Sequence, residues 1–227
     1  MVGGKPASTG AKTALLAEYA VIAHALSAPA RLLLLEQLAQ GERGVEALAD
    51  KTGLTIANCS QHLQQLRRAG LVTSRREGKA VIYRLTDART LALMDLLRVV
   101  AESNLAEVEH ILRGLSGGEQ APEPVSRADL AARLAEGSVT VLDVRPADEF
   151  AAGHIPGALN LRLADLAQIV PALARDAEIV AYCRGPYCID SRQAEAALRK
   201  LGYNARRLDG GLPEWREEGR QVLASLR

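Results

Sequence analysis

The chain has 227 residues, 48% of them apolar, and 28 Lys and Arg against 27 Asp and Glu give a net charge of +1. This is the composition of an ordinary soluble protein with one large domain or two small ones. No apolar run approaches the roughly 20 residues of a membrane span. The three cysteines make an odd count with no disulfide framework, which points to a reducing cytoplasm and no membrane partner.

Residues 1–10 have no apolar core of signal-peptide type and read as a floppy tail. Leu15, Tyr19, Ile22 and Leu26 then fall at helical spacing. Ser27 is placed to cap a second helix, with Pro29 in its first turn and Gly41 at its end. Val45, Leu48 and Ala49 mark a short helix stopped at Gly53. Thr55 opens another, whose predicted apolar face is Ile56, Cys59, Leu63 and Leu66 and which Gly70 closes. Two short helices across a tight Gly-containing turn form a helix-turn-helix pattern. Alternating runs at 71–75 and 81–85 around Glu77, Gly78 and Lys79 predict a β-hairpin with a basic tip. A single last helix over about 87–113 carries Met94, Leu97, Ala101, Leu105, Val108 and Leu112 on one stripe. So long a stripe on a small domain calls for a second copy of the chain.

Charge is uneven. Residues 1–113 hold 14 basic against 11 acidic side chains and the remainder 14 against 16, with six basic residues and one acid between Arg67 and Arg84. That local excess suits a polyanion.

The stretches 26–32, 54–72 and 76–85 closely resemble the ArsR/SmtB winged-helix repressors, over about residues 14–113. The resemblance implies a homodimer on double-stranded operator DNA, with the recognition helix in the major groove and the wing on flanking phosphates. By position, Thr55, Asn58, Ser60, Gln61, His62 and Gln65 would project from the polar face of that helix. Asn58 and Gln61 suit adenine edges, and Arg67, Arg68, Arg75, Arg76 and Lys79 would contact phosphates. The sensors of many members are missing. Segment 42–48 has no Cys or His, and the last helix offers His110 without a paired histidine, so no metal is expected. Cys59 reads as a small core residue.

Gly and Pro punctuate residues 114–124, which read as a linker. Beyond it, strand and helix alternate, which predicts a parallel α/β sheet after the mainly α first domain. Ser126 is placed to cap a helix, 139–144 is a buried strand, a helix is expected around 163–173, and 179–181 is a second buried strand. That strand runs into Cys183, in a Gly/Pro loop that opens a helix over 194–201. Converging N–H groups and the helix dipole there favour a thiolate.

Residues 142–160 and 209–215 resemble the two signatures of the rhodanese (sulfurtransferase) domain, and the likeness covers about 125–223. It implies that Cys183 takes a sulfane sulfur as a persulfide, cradled by the loop of Arg184, Gly185, Pro186, Tyr187, Cys188 and Ile189. Asp143 and Arg145 would support the fold beside the site. The loop departs from the thiosulfate-type pattern Cys-x-x-Gly-x-Arg, because Gly185 comes early and Cys188 stands where the arginine belongs. Arg184 and Arg192 are the nearby candidates to replace that charge. Cys188 can act as a resolving thiol against a Cys183 persulfide, or fill space. A phosphatase would need an arginine at position 189, which is Ile189. Two cysteines five apart do not make a zinc knuckle, and no cofactor is expected. Three functions stay open. One is a repressor that reads sulfur or redox state through a small sulfur donor or acceptor. Another is a sulfurtransferase tethered to DNA, and the third a repressor with a silent rhodanese module. Cys183 argues against the third, and the absent arginine against the second.

Overall fold

The structure is a computed structural model that describes residues 7–116, 121–166, 177–185 and 188–224. By contacts the chain divides into two compact units, Met1–Thr90 and Leu91–Arg227. Among the described residues, no single helix is long and apolar enough to cross a membrane.

The first unit is a winged helix-turn-helix. Helix α1 (Ala7–Leu26) begins inside the expected tail. Helix α2 (Pro29–Ala39) starts on a proline, which has no N–H to leave unpaired. Ser27 is not its cap; the residue there is Ala28, and the Ser27 hydroxyl donates back to the His24 carbonyl at 2.8 Å. Strand β1 (Arg43–Gly44) leads into α3 (Val45–Thr52), which ends at Gly53 with φ +68°, a left-handed position that glycine takes without strain. Helix α4 (Ile56–Arg68) opens on Thr55, whose hydroxyl accepts the Asn58 N–H at 3.2 Å. Leu34, Leu35, Leu48, Cys59, Leu63 and Leu66 are fully buried together, so this core comes from α2, α3 and α4. Ile56 does not join them and is exposed. Strands β2 (Val72–Glu77) and β3 (Ala80–Leu85) form the wing, with Glu77 opposite Ala80 and Gly78 at φ +60° in the two-residue turn. Antiparallel β1 pairs with β3 through Arg43 and Tyr83, a strand that the sequence pattern did not predict.

The predicted single last helix is two, α5 (Arg89–Asn104) and α6 (Ala106–Leu115), with Leu105 extended between them at φ −110°, ψ 105°. The break follows polar residues that bond back into the helix. The Ser103 hydroxyl donates to the Val99 carbonyl and the Asn104 amide to Val100, both at 2.8 Å. Nearly all of α5, and α6 with it, packs in the second unit, so the compact-unit boundary falls earlier than the expected linker at 114–124. Within that linker, 117–120 lies outside the described residues.

The second unit is built on a parallel sheet in the order β5-β4-β6-β7, made of β4 (Val139–Asp143), β5 (Leu159–Asn160), β6 (Glu178–Tyr182) and β7 (Asn204–Arg207). Alternation sorts the side chains of each strand to opposite faces. From β6, Ile179 and Ala181 enter a core with Leu142, Ala194 and Leu198, on the side of α9 (Asp190–Lys200). Val180 and Tyr182 enter the other, with Leu130 of α7 (Arg127–Glu136) and Trp215 of α10 (Leu212–Glu217). Both faces are covered, which is why the central strands read as continuous apolar runs. Ser126 caps α7 by accepting the Asp129 N–H at 3.1 Å. A short helix α8 (Ala147–Ala152) follows β4. The helix expected at 163–173 begins as a 3-10 turn, Leu163–Asp165, and its remainder from 167 lies outside the described residues.

Candidate functional site

Helix α4 presents one face to solvent because Cys59, Leu63 and Leu66 turn the other inward. Thr55, Asn58 and Gln61 are exposed, while Ser60 and His62 are half-buried. The Nδ1 atom of His62 is buried without a hydrogen-bond partner. Gln65 does not join the outward set. Its side-chain oxygen accepts from Arg31 at 2.6 Å, and Arg31 also donates to the carbonyls of Ala25 at 2.6 Å and His24 at 2.7 Å. Gln65 is therefore engaged in locking α4 to the α1–α2 corner. Arg68, Arg76 and Lys79 are exposed with no ion-pair partner among the described residues. Arg67 donates to the Ser74 hydroxyl at 3.3 Å, and Arg75 is paired with Glu42 and Glu77. Burial pushes the Cys59 thiol above its ordinary pKa, which suits a core residue rather than a reactive one.

In the second unit, β6 carries the chain to Cys183, which is 0% exposed, and the loop returns Cys188, which is 7% exposed. The two are joined in a disulfide with Cα atoms 6.1 Å apart. It closes one short loop and is a local link, not a framework. Asp190, the first residue of α9, brings its Oδ2 to 3.7 Å from the Cys188 sulfur and 4.0 Å from that of Cys183. Ile189 is exposed; Pro186 and Tyr187 lie outside the described residues.

Arg184 does not replace the missing loop arginine. It makes a two-pronged pair with the buried Glu149 at 2.9 and 3.0 Å, which ties the loop to α8. Arg192 does face the loop. It lines a cleft together with Arg98 of α5, Arg207 of β7, Cys188, Ser191 and Asp209. Glu102 holds Arg98 at 2.8 Å and Arg192 at 3.1 Å. Arg207 has no hydrogen bond on its buried Nε, and its nearest acid, Glu195, is 3.8 Å away. Burial lowers the pKa of both Arg192 and Arg207; Arg98 adds to this at Arg192 and Arg192 at Arg207, while Glu102 and Glu195 act against it at both. Arg98, Arg207 and Asp190 were not singled out from the sequence; only the parallel register, which sets β7 beside β6, could have pointed to Arg207.

Asp143 and Arg145 lie beneath the loop on β4 and the turn after it. The Asp143 carboxylate, fully buried, accepts from Arg145 Nε at 3.0 Å and Nη2 at 2.6 Å, from the Arg145 N–H at 3.0 Å, and from the Tyr182 hydroxyl at 2.6 Å. The Ile155 N–H donates to that same hydroxyl at 3.0 Å, and Arg145 donates to the Gly153 carbonyl at 2.6 Å. Burial works against the Arg145 charge, yet Asp143 holds its pKa above the usual value. Burial and the Asp143 carboxylate both push the Tyr182 phenol up. This network fixes the strand end that precedes Cys183. The closing turn fixes the other side: Gly211 lies against the Cys183 and Gly185 backbone, the Glu214 carboxylate accepts the Gly211 N–H at 2.8 Å, and the Leu212 N–H donates to the Cys183 carbonyl at 3.3 Å.

Cys183, Cys188 and Asp190 bring three ligand-type atoms within 4.8 Å of one another. The two sulfurs are bonded to each other and guanidiniums crowd the adjoining cleft, so the set suits thiol–disulfide chemistry better than a cation.

A family model described as bacterial regulatory protein, arsR family, matches residues 28–74, and one described as rhodanese-like domain matches residues 126–218. The chain is 43% identical over 211 residues to the HTH-type transcriptional regulator Rv0324 of Mycobacterium tuberculosis, across 93% of this chain and 92% of that protein. The solution NMR structure of the homodimeric winged helix-turn-helix DNA-binding domain of Mb0332 from Mycobacterium bovis shares 41% identity. It covers 46% of this chain and 94% of that one, at a TM-score of 0.40. The crystal structure of a rhodanese-related protein from Thermoplasma volcanium shares 30% identity over 45% of this chain and 98% of that one, at a TM-score of 0.41.

Proposed function

Since the chain belongs to the arsR family of bacterial transcriptional regulators and carries a rhodanese-like domain, we propose that it is a cytoplasmic, dimeric repressor that ties operator binding to sulfur or redox state through Cys183. The observation that carries this reading is the joining of Cys183 and Cys188 in one loop of a chain that also holds a recognition helix. In the reduced protein, the Cys183 thiolate attacks a sulfane sulfur and becomes a persulfide, while the donor leaves as its own thiolate or anion. The Cys188 thiolate then attacks the inner sulfur of that persulfide, which forms the disulfide and releases hydrosulfide. The oxidising equivalents come from the sulfane sulfur, and the loop closes without another oxidant.

The test is a gel shift on the chain's own promoter region, with and without inorganic polysulfide. Affinity is expected to change for the wild type and to stay constant for Cys183→Ser, which also forms no persulfide by intact mass. A wild type whose affinity ignores polysulfide would overturn sensing and favour a tethered sulfurtransferase.

The DNA contacts are tested separately. Replacing Arg67 and Arg68 together with alanine should weaken operator binding and reduce the slope of log affinity against log salt by about 2, close to one unit per lost phosphate contact. An unchanged slope removes both from the phosphate contacts. Dimerisation is supported by apolar side chains left uncovered on each unit. Leu15, Leu16 and Tyr19 are more than half exposed on α1, as are Leu96 and Val100 on α5. Leu96→Arg with Val100→Arg should give a monomer by light scattering, and a dimer of unchanged mass would exclude the α5 face.

A further inference from the structure

We propose that the cleft walled by Arg98, Arg192 and Arg207 is a binding subsite for a small anionic sulfur nucleophile, and that Cys188, not Cys183, is the sulfur it attacks. The inference rests on the thiol chemistry proposed above and adds the ligand class and the direction of attack.

The lining of the cleft distinguishes the two cysteines. Cys183 is fully buried, whereas Cys188 keeps a small exposed surface and lines the cleft itself. Thiol–disulfide exchange depends on which sulfur can be reached. The charged lining of the cleft is three guanidiniums against one carboxylate, Asp209. Other acids lie around that lining, and Asp190 places its Oδ2 3.7 Å from the Cys188 sulfur. Asp95 and Glu102 hold Arg98, each at 2.8 Å, Glu102 also holds Arg192, and Glu195 stands behind Arg207. Burial raises the pKa of the Glu195 carboxyl, and one of its oxygens has no hydrogen-bond partner. Arg207 is the least committed cation, with no hydrogen bond on its buried Nε and Glu195 at 3.8 Å from it. A cation held out of water with an unfilled donor favours an incoming anion. The chain thus places charge beside Cys188 from three separate elements, in compensation for the arginine absent from position 188.

The step balances with sulfite as the probe. The sulfur lone pair of sulfite forms a bond to the Cys188 sulfur, the Cys183–Cys188 bond breaks, and the electron pair leaves on Cys183 as a thiolate. Cys188 becomes an S-sulfonate and no external oxidant is consumed. Hydrosulfide would follow the same path and leave a persulfide on Cys188, and a persulfide anion would leave a trisulfide there.

The experiment uses the full-length disulfide form, treated with sulfite while iodoacetamide caps the released thiol, followed by peptide mass spectrometry. The expected products are S-sulfonate on Cys188 and the alkylated thiol on Cys183. Arg207→Gln should slow the reaction about tenfold, as expected for loss of local charge focusing, and Arg207→Lys should restore most of the rate. Sulfonate on Cys183, an even split, no adduct, or a rate indifferent to Arg207→Gln each overturns the assignment. The wild-type map needs no variant, so the proposal is decided even if Arg207→Gln fails to fold. Gel shifts on the same samples separate the two ideas. Unchanged DNA affinity with Cys188 labelled overturns sensing and leaves the cleft standing, while altered affinity with Cys183 labelled does the reverse.

Discussion

Asp143→Ala should lower the unfolding free energy of the second unit by about 3–5 kcal/mol, the cost of removing one partner from a buried ion pair. Arg145 is 1% exposed on its side chain and cannot turn to water, so losing Asp143 removes the two-pronged carboxylate partner of a buried guanidinium. The Tyr182 hydroxyl and the Arg145 N–H lose their acceptor in the same change. The check is urea denaturation followed through Trp215, which lies in the core on the Tyr182 side of the sheet. Replacing both partners with apolar residues, Asp143→Leu with Arg145→Met, should recover much of the loss, because no buried charge is then left alone. If the single and double replacements cost the same, the penalty comes from packing rather than from the orphaned cation.

Gly211→Ala should separate the closing turn from the cysteine loop. An added Cβ would sit 2.5 Å from both the Cys183 carbonyl oxygen and the Gly185 nitrogen, and 2.7 Å from the Gly185 Cα. All three are backbone atoms, so no side chain can swing aside. Overpacking of this kind costs about 1–3 kcal/mol. The larger consequence is local, since the Leu212 to Cys183 hydrogen bond depends on this approach. The expected result is a modest fall in melting temperature with a large change in the rate at which the Cys183–Cys188 disulfide is reduced. Gly114→Ala is the control, because it lies in α6 with nothing within 4 Å and should be neutral or stabilise by up to about 1 kcal/mol. A Gly211→Ala protein with wild-type reduction kinetics would show that the turn does not shape the loop.

Where the sequence pattern succeeded, the informative residues were close together in the chain. Thr55 caps α4 through a residue three positions on, Gly53 ends α3 by its own backbone geometry, and Gly78 lies in the turn that sets the wing register. The motifs around Asp143, Cys183 and Asp209 are likewise contiguous runs. Ile56 was placed on the wrong side of α4 because the 3.6-residue period gives the direction of a stripe better than its edge at the first turn. The break at Leu105 was missed because the apolar stripe runs across it, while the side-chain bonds of Ser103 and Asn104 that end α5 have no periodicity.

The sequence by itself determined a helix-turn-helix with a basic wing, a parallel α/β sheet after it, and a cysteine loop at a strand end, because each rests on spacing, turn chemistry and contiguous motifs. Only the tertiary structure decided which charges act together. Arg31 reaches Gln65 across 34 residues, Arg184 is bound to Glu149 across 35, and Glu102 joins Arg192 across 90. Such pairings follow from how helices and strands stack, and a long flexible arginine side chain carries no local mark of the partner it will meet. For the same reason the placing of the two cysteines, Cys183 fully buried and Cys188 in the lining of the arginine cleft, is a property of the packed loop alone.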